Sequence, residues 1–405
     1  MANTWKTLSD GDLVKKSLSS FTNKLKFLKT INTTYEKDVK NSERKNGGVI
    51  LIKNPNEFTV RSGAVMSVND VAETTQSLSV LTERGVDLEV SSIDHSMSVE
   101  QFETNIIEPA MTKLASYVEY DVLSNVYKDV FNLTGTPATT PASLVAVLNA
   151  NARLSQELAP TNDRHLLMDS LAMAATVNGV GAYFHKASEL ERAFAEGYIG
   201  EAAGLKWWES NMTPTHTNGT RDDTTPVCNT STGITSGTAT ITTTGADGTM
   251  TVGDVFTIAD VYAINRETKQ RYAHLQQFVI TAAITNDGTD VWSVSPTPVT
   301  SGASQNIEIV SAGAGKAIVN VAAGGSGAAS AVYTQNLAYH KDAFTFASVM
   351  PYIDESQKMS SAVKDNIAMR IWRDGNITNN RFPLRIDVLY GYKTIRPQWA
   401  VRVRG

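Results

Sequence analysis

The sequence predicts an α+β fold carrying an inserted all-β domain, and three observations lead there. One long amphipathic helix lies within residues 98–131. Short helical and strand-like segments alternate on either side of the middle of the chain, as in a compact α+β domain. Between residues 212 and 333 the helical period vanishes, and strand-like runs bounded by Asn, Asp, Gly or Pro follow one another at a spacing of about ten residues. With 405 residues the chain is long enough for two or three domains.

Residues 10–31 open the chain with Val14, Leu18, Phe21, Leu25 and Leu28 at alternating steps of four and three. That is a heptad seam of two repeats, too short for a stable coiled coil but suited to an amphipathic arm. Lys15, Lys16, Lys24, Lys26 and Lys29 surround it. Such an arm docks on a neighbour or a helper protein, lies on a membrane surface, or folds back on its own body. Residues 41–93 alternate β-rich runs with turn signals at Asn46-Gly47-Gly48 and Asn54-Pro55-Asn56, and Arg84-Gly85 reads as punctuation between two strands. A two-stranded ribbon is marginal alone, so this one needs a surface to lie on. Its charged residues Arg61, Glu83 and Arg84 are candidates for ion pairs between subunits.

Ser98 and Gln101 have the form of a capping box. Pro109 then kinks one helix or opens a second, and either way it is a candidate hinge. From there Met111, Leu114, Ala115, Val118, Val122, Leu123, Val126 and Val130 recur at helical spacing, while Lys113, Glu119, Asp121, Lys128 and Asp129 fall off the stripe. Pro141 suits the first position of a helix running to Leu158. Arg164–Asp169 reads as a short buried strand with Asp169 capping the next helix. A further helix is expected at Ala187–Glu196, and the run GLKWWESN is expected as a strand. Residues 213–251 hold 16 threonines and one basic residue, and open the predicted small β-barrel or sandwich. In the last stretch, Leu384, Ile386, Val388 and Tyr390 form one face of a strand, with Arg385 and Asp387 on the other.

The net charge of −5 hides a segregation. Residues 1–61 carry 12 basic and 6 acidic side chains and residues 355–405 carry 10 and 4, which leaves the middle at −17. Basic ends on an acidic body suit contacts between copies of one chain, with nucleic-acid binding as the competing reading. A single cysteine, Cys228, gives no disulfide framework and fits a reducing cytoplasm. No apolar run approaches a membrane span, and residues 1–12 lack the order of a signal peptide, so no membrane partner is expected.

The motifs of catalysis are not met. The six histidines show no metal-ligand spacing, and His185 with Glu189 is better read as surface polarity than as a metal pair. In AGAGKA a P-loop's first Gly and its Ser/Thr are replaced by Val310 and Ala317. In GGSGA, Ala328 replaces the last Gly of a nucleophile elbow. The run Asn286–Asp290 is a turn and not a calcium loop. No catalytic residue, metal or cofactor is expected. A carbohydrate- or cell-surface-binding β-rich protein is the alternative that the Thr/Ser/Gly-rich insert suggests.

Six stretches go further: PAMTKLASYVEYDVL, GTPATTP, RHLLMD, GDVFTIADVYAINRETKQRYAHLQQFVITA, QNLAYHKDAFTFAS and RIDVLYGYKTIRPQWAVRV. In that order they resemble the P22-type major coat proteins of tailed bacteriophages, which are similar to the wider family of HK97-fold capsid proteins. The resemblance implies an HK97-like architecture: an N-terminal arm at 1–40, an extended loop at 41–97, a spine helix of the peripheral domain at 98–131 and an axial domain at 132–211. An inserted barrel at 212–333 and closing strands at 334–405 complete it. It implies pentamers and hexamers of this chain tiling an icosahedral shell, with a scaffolding protein and a portal protein as partners and non-specific contact with packaged double-stranded DNA. Assembly would take place in the bacterial cytoplasm, and the product would be the virion capsid.

Overall fold

The computed structural model describes residues 10–34, 49–61, 63–66, 68, 73–91, 103–135, 139–180, 200–220, 226–320, 330, 332–354, 358–375 and 381–405. The Ser98–Gln101 capping box, His185, Glu189, the helix expected at Ala187–Glu196 and the GGSGA run lie outside them. The chain divides into two units, one built from Met1–Lys53, Thr75–Val122 and Phe344–Lys393, the other from Asn54–Thr74, Leu123–Ala343 and Thr394–Gly405.

In the first unit, helix α1 (Asp10–Lys24) is followed by a 3₁₀ turn at Phe27–Lys29. Its seam residues Val14, Leu18, Phe21, Leu25 and Leu28 are all buried. They pack on the antiparallel pair Met359–Lys364 and Ile367–Arg373, and Lys364 Nζ donates to Ser19 Oγ at 2.9 Å. Of the three readings open from the sequence, the structure shows the helix folded back on its own sheet. Met359–Lys364 itself escaped the sequence reading, because MSSAVK carries neither clear alternation nor a run of large apolar residues.

The sheet of this unit has five strands. Arg381–Thr394 is flanked by Phe344–Val349 and Ile367–Arg373, and also pairs antiparallel with Thr82–Ser91. Leu384, Ile386, Val388 and Tyr390 are buried as the alternation requires. Asp387, on the other face of the strand, is buried as well. Arg370 Nη2 (2.5 Å) and Arg385 Nε (2.8 Å) donate to its carboxylate and supply the compensation that a buried charge needs.

Arg84-Gly85 does not separate two strands, since Thr82–Ser91 runs unbroken through it and the break lies at Val80-Leu81. Gly85 sits opposite Asp387, where a Cβ would lie 2.5 Å from Asp387 Oδ1 and 2.6 Å from the Ile386 carbonyl oxygen. The glycine is there for close approach, not for a turn. Gly85→Ala is therefore expected to lower stability by about 1–3 kcal/mol, as overpacking does. Chemical denaturation checks this, and a wild-type midpoint would overturn it.

Helix α2 (Glu108–Val126) is preceded by a π turn at Glu103–Ile107 and followed by a 3₁₀ turn at Tyr127–Asp129. Pro109 is the second residue of this helix, directly after the π turn. All eight stripe residues from Met111 to Val130 are buried.

The second unit holds a six-stranded sheet in the order Leu133–Thr134, Ala400–Val403, Asn336–His340, Arg164–Met168, Leu205–Glu209 and Glu201–Ala202. Helices α3 (Leu144–Gln156) and α4 (Ser170–Val180) accompany it. Val147, Leu154, Leu166, Met173, Trp207 and Val401 share its core. Ser143, not Pro141, precedes α3 in the N-cap position, while Asp169 Oδ2 caps α4 by accepting the Leu171 N–H at 3.3 Å.

Between Leu205–Glu209 and Asn336–His340 the chain leaves and returns through a two-stranded ribbon, Thr215–Thr217 against Val332–Thr334. Beyond the ribbon six strands close into a barrel: Arg271–Ile280, Gly288–Ser295, Thr240–Ala246, Val227–Cys228, Lys316–Asn320 and Val255–Ile264, the last pairing again with the first. A seventh strand, Ile307–Ile309, adds to Val255–Ile264. Closure leaves no free edge in the ring. Phe256, Ile258, Phe278, Trp292 and Ile318 fill the interior. The run AGAGKA places Lys316 in a barrel strand with its Nζ 2.5 Å from Asp260 Oδ2, and in the Asn286–Asp290 turn Asn286 Oδ1 accepts the Trp292 indole N–H at 2.8 Å.

Candidate functional site

Among the described residues no three His, Cys, Asp or Glu converge to hold a metal ion, and no helix is long and apolar enough to cross a membrane. Cys228 is buried in the barrel, and burial pushes its thiol up to about 11, away from the thiolate that reactive cysteines present. Burial likewise holds His165 down to about 4, where it accepts the Trp208 indole N–H on Nδ1 at 3.1 Å. The polar groups of this chain fasten one part of it to another.

Two carboxylates of α2 illustrate this. Glu119, expected off the apolar stripe and in water, is buried. Its Oε2 accepts the Lys26 N–H at 3.1 Å and its Oε1 the Phe27 N–H at 2.6 Å, so it caps the turn after α1. Burial raises its carboxyl above the ordinary range, while those N–H groups and the charges of Lys26 and Lys29 pull it back. Asp121 accepts the hydroxyl of buried Tyr390 on Oδ2 at 2.6 Å.

The candidate residues of the ribbon are likewise engaged within the chain. Glu83 Oε1 accepts from Arg370 Nη2 and Arg385 Nη2, each at 3.2 Å. The Arg84 guanidinium stands 5.7 Å from the centre of the Tyr117 ring. Arg61 donates to the Gly63 carbonyl and, at 3.5 Å, to that of Val65, bracing its own loop. Glu83 and Arg84 thus join one cluster of the first unit, and Arg61 is not part of it. Lys15, Lys16, Lys24, Lys26 and Lys29 are all exposed on the outer side of α1 and the turn after it.

One loop of the structure also leaves apolar side chains uncovered. The ladder Val49–Lys53 against Thr75–Ser79 buries Ile50, Ile52 and Leu78 and exposes Leu51. In the loop that joins these strands, Phe58 is 57% exposed, Val60 99%, Val65 84%, Met66 79% and Val68 78%. Single exposed apolar residues are ordinary, whereas five in one loop are of the kind found where proteins associate. The sequence carried a signal for them: EFTVRSGAVMSV keeps apolar residues at short intervals in a stretch with no helical period and no core strand.

The chain belongs to the P22 coat protein family: the family described as "P22 coat protein - gene protein 5" matches residues 12–405. It is accordingly a major capsid protein of a tailed bacteriophage, a virion component that forms an icosahedral shell and not an enzyme. Its fold is α+β with an inserted six-stranded barrel.

No curated protein matches the chain. Solved structures similar to it include a chain of Mycobacterium phage Che8, 13% identical with a TM-score of 0.48, covering 94% of this chain and 89% of that one. The capsid of Ralstonia phage GP4 is 7% identical with a TM-score of 0.43, covering 93% and 87%. The asymmetric unit of the bacteriophage PhiM1 mature capsid is 11% identical with a TM-score of 0.42, covering 89% and 82%. At these scores the family match carries the assignment.

Proposed function

We propose that this coat protein assembles as pentamers and hexamers around phage DNA, and that the loop at residues 54–74 lies on a neighbouring subunit within the extended segment 41–97. The observation that carries this is the exposure of Phe58, Val60, Val65, Met66 and Val68. Full burial of such a side chain contributes about 1.5–3 kcal/mol, and a shell repeats the contact at every subunit. Glu83, Arg84 and Arg61, already engaged within the chain, serve as rim charges at most, where an ion pair is worth about 0–1 kcal/mol. Unequal positions on one shell require one sequence to accept several geometries. Pro109, placed where the π turn meets α2, is the hinge that permits them in this reading.

Assembly in this reading begins on a scaffolding protein and includes a portal protein at one vertex. The lysines on the solvent side of α1 and its turn, Lys15, Lys16, Lys24, Lys26 and Lys29, offer an acidic scaffold segment a basic surface, while the apolar seam behind them is occupied by the chain's own sheet. The acidic middle of the sequence suits a lumen that holds DNA without binding it tightly, because phosphate affinity scales with Lys and Arg contacts.

Expression with the scaffold of the same phage tests the reading by electron microscopy. Wild-type chain is expected to give closed shells, and the variant with all five lysines changed to glutamate is expected to give few particles or aberrant tubes. A wild-type sample that stays monomeric with scaffold present would overturn the capsomer proposal. Normal shells from the charge-reversed variant would overturn the arm's role alone.

A further inference from the structure

The inserted barrel is fastened to the rest of its unit at two places, and a histidine sits at each. At the ribbon, His216 Nε2 lies 2.8 Å from Asp254 Oδ1 and its Nδ1 lies 3.1 Å from the Tyr127 hydroxyl. Asp254 Oδ2 also accepts the N–H groups of Gly219 (3.2 Å) and Thr251 (2.8 Å). Arg402 donates to the carbonyls of Gly253 (2.7 Å) and Lys128 (3.4 Å), with its guanidinium 5.3 Å from the centre of the Tyr127 ring. At the flank, Gln277 exchanges two hydrogen bonds with the backbone of Leu133, at 2.8 and 2.9 Å. Tyr272 donates to the Gln156 carbonyl at 3.0 Å, and His274 stacks on Tyr272 at 5.3 Å with its Nε2 buried and without a partner.

The charge at this joint is already unbalanced. Arg153, Arg402 and Arg404 are buried there, and Arg266 stands 3.9 Å from Glu157. Facing these four guanidinium groups are the carboxylates of Asp254, Glu157 and Asp129, with the ammonium of Lys128 beside Asp129 in sequence. Arg402 and Arg404 act on His216, and Arg153 acts on His274. The hydroxyls of Tyr127, Tyr272 and Tyr333 also face the joint, and burial raises that of Tyr333 above its ordinary value. A proton added to either imidazole places a further positive charge among buried cations, where the low local dielectric magnifies repulsion.

We propose that His216 and His274 form an acid-sensitive clasp: neutral, they hold the inserted barrel to the rest of its unit, and protonated, they loosen both attachments while the barrel itself stays folded. Burial is the largest cause that lowers both histidines, with Arg402 and Arg404 adding to it at His216, Arg153 adding to it at His274, and Asp254 opposing it at His216. His274 falls to about 4 from an ordinary value near 6.5. Because the fastened state binds these protons more weakly than the released state, the attachment is strongest above pH 6.5 and weakens as pH falls toward 4. The barrel's own core of Phe256, Phe278 and Trp292 also holds the thiol of Cys228, which burial keeps protonated, so acid has no comparable lever there.

Amide hydrogen exchange of the full-length chain at pH 7 and pH 4.5, corrected for the intrinsic pH dependence of exchange, tests the clasp. The Leu133 and Gly219 amides are direct reporters, since each is bonded across the joint, while Phe256 and Ile258 report the barrel interior. At pH 4.5 the joint amides are expected to lose roughly tenfold or more of their protection relative to the interior, the size of effect that linkage to one such group supplies. In the double variant His216→Gln, His274→Gln that pH-dependent loss is expected to shrink below about twofold. Joint and interior losing protection together in the wild type would overturn the clasp. So would a double variant that keeps the wild-type loss, or one that lowers protection equally at both pH values. Should the double variant fail to fold, His274→Gln alone decides: a smaller pH-dependent loss at Leu133 supports the clasp, and an unchanged one overturns it.

Discussion

Changing Val60 and Met66 to aspartate is expected to leave a folded, soluble chain that no longer closes shells. Both side chains lie in solvent, at 99% and 79% exposure, so the isolated subunit loses no packing and its stability should move by less than about 0.5 kcal/mol. The assembled state is different. If the loop lies on a neighbour, each substitution forfeits about 1.5–3 kcal/mol of apolar burial and adds the cost of desolvating a carboxylate with no partner. Two such losses per subunit exceed what a weak, repeated contact tolerates, because each tenfold in a contact's equilibrium constant is only about 1.4 kcal/mol. Circular dichroism should match wild type, while sedimentation velocity and electron microscopy show particles replaced by subunits or small oligomers. Shells in normal yield would show that this loop joins nothing.

Trp292→Ala should have the largest effect on stability. The indole is fully buried, meets Phe256 edge-on at 5.0 Å and donates to Asn286 Oδ1 at 2.8 Å. Truncation therefore removes transfer free energy, opens a cavity and leaves the Asn286 acceptor without its donor, for a total of about 3–5 kcal/mol. The loss concerns the barrel, because the six-stranded sheet has a separate core that includes Val147, Leu166 and Val401. For a module of this size it corresponds to a fall of at least about 10 °C in the barrel's own melting temperature. Calorimetry should resolve an early transition that the wild type lacks, and exchange at Ile258 and Phe278 should report the same event. A single melt at the wild-type temperature would refute the assignment of Trp292 as the barrel's central packing residue.

Where a single face repeats over many turns, the fold was legible in advance. The stripe of α2 and the seam of α1 are both buried as their spacing requires. Spacing says which face is apolar but not whose surface covers it; the surface beneath α1 is the chain's own strand Met359–Lys364. Glu119 and Asp387 fall off the apolar faces in a local pattern, which sees only their charge. Partners of each lie far off in sequence (Lys26 and Phe27 for the first, and for the second Arg370 in addition to the nearby Arg385), and only the fold brings those within reach. Gly85 was misread for a similar reason, since close approach by a distant strand and a turn both call for glycine. The candidate assembly residues were chosen for conspicuous charge, and Glu83, Arg84 and Arg61 proved to have partners within the chain. The apolar loop residues were less conspicuous, because exposure is a property of the fold and a sequence window cannot report it.

The pairing of Thr82–Ser91 with Arg381–Thr394 also sets a timetable for synthesis. A ribosome adding roughly 5–20 residues per second needs about 15–60 s to travel from one strand to the other. The ring of strands between residues 227 and 320 lies wholly within that span and can close during the interval, even where it pairs strands as far apart as Val227–Cys228 and Lys316–Asn320. The nascent chain thus carries one finished body while its earlier strand waits with an unpaired edge, the condition under which chaperone capture competes with aggregation.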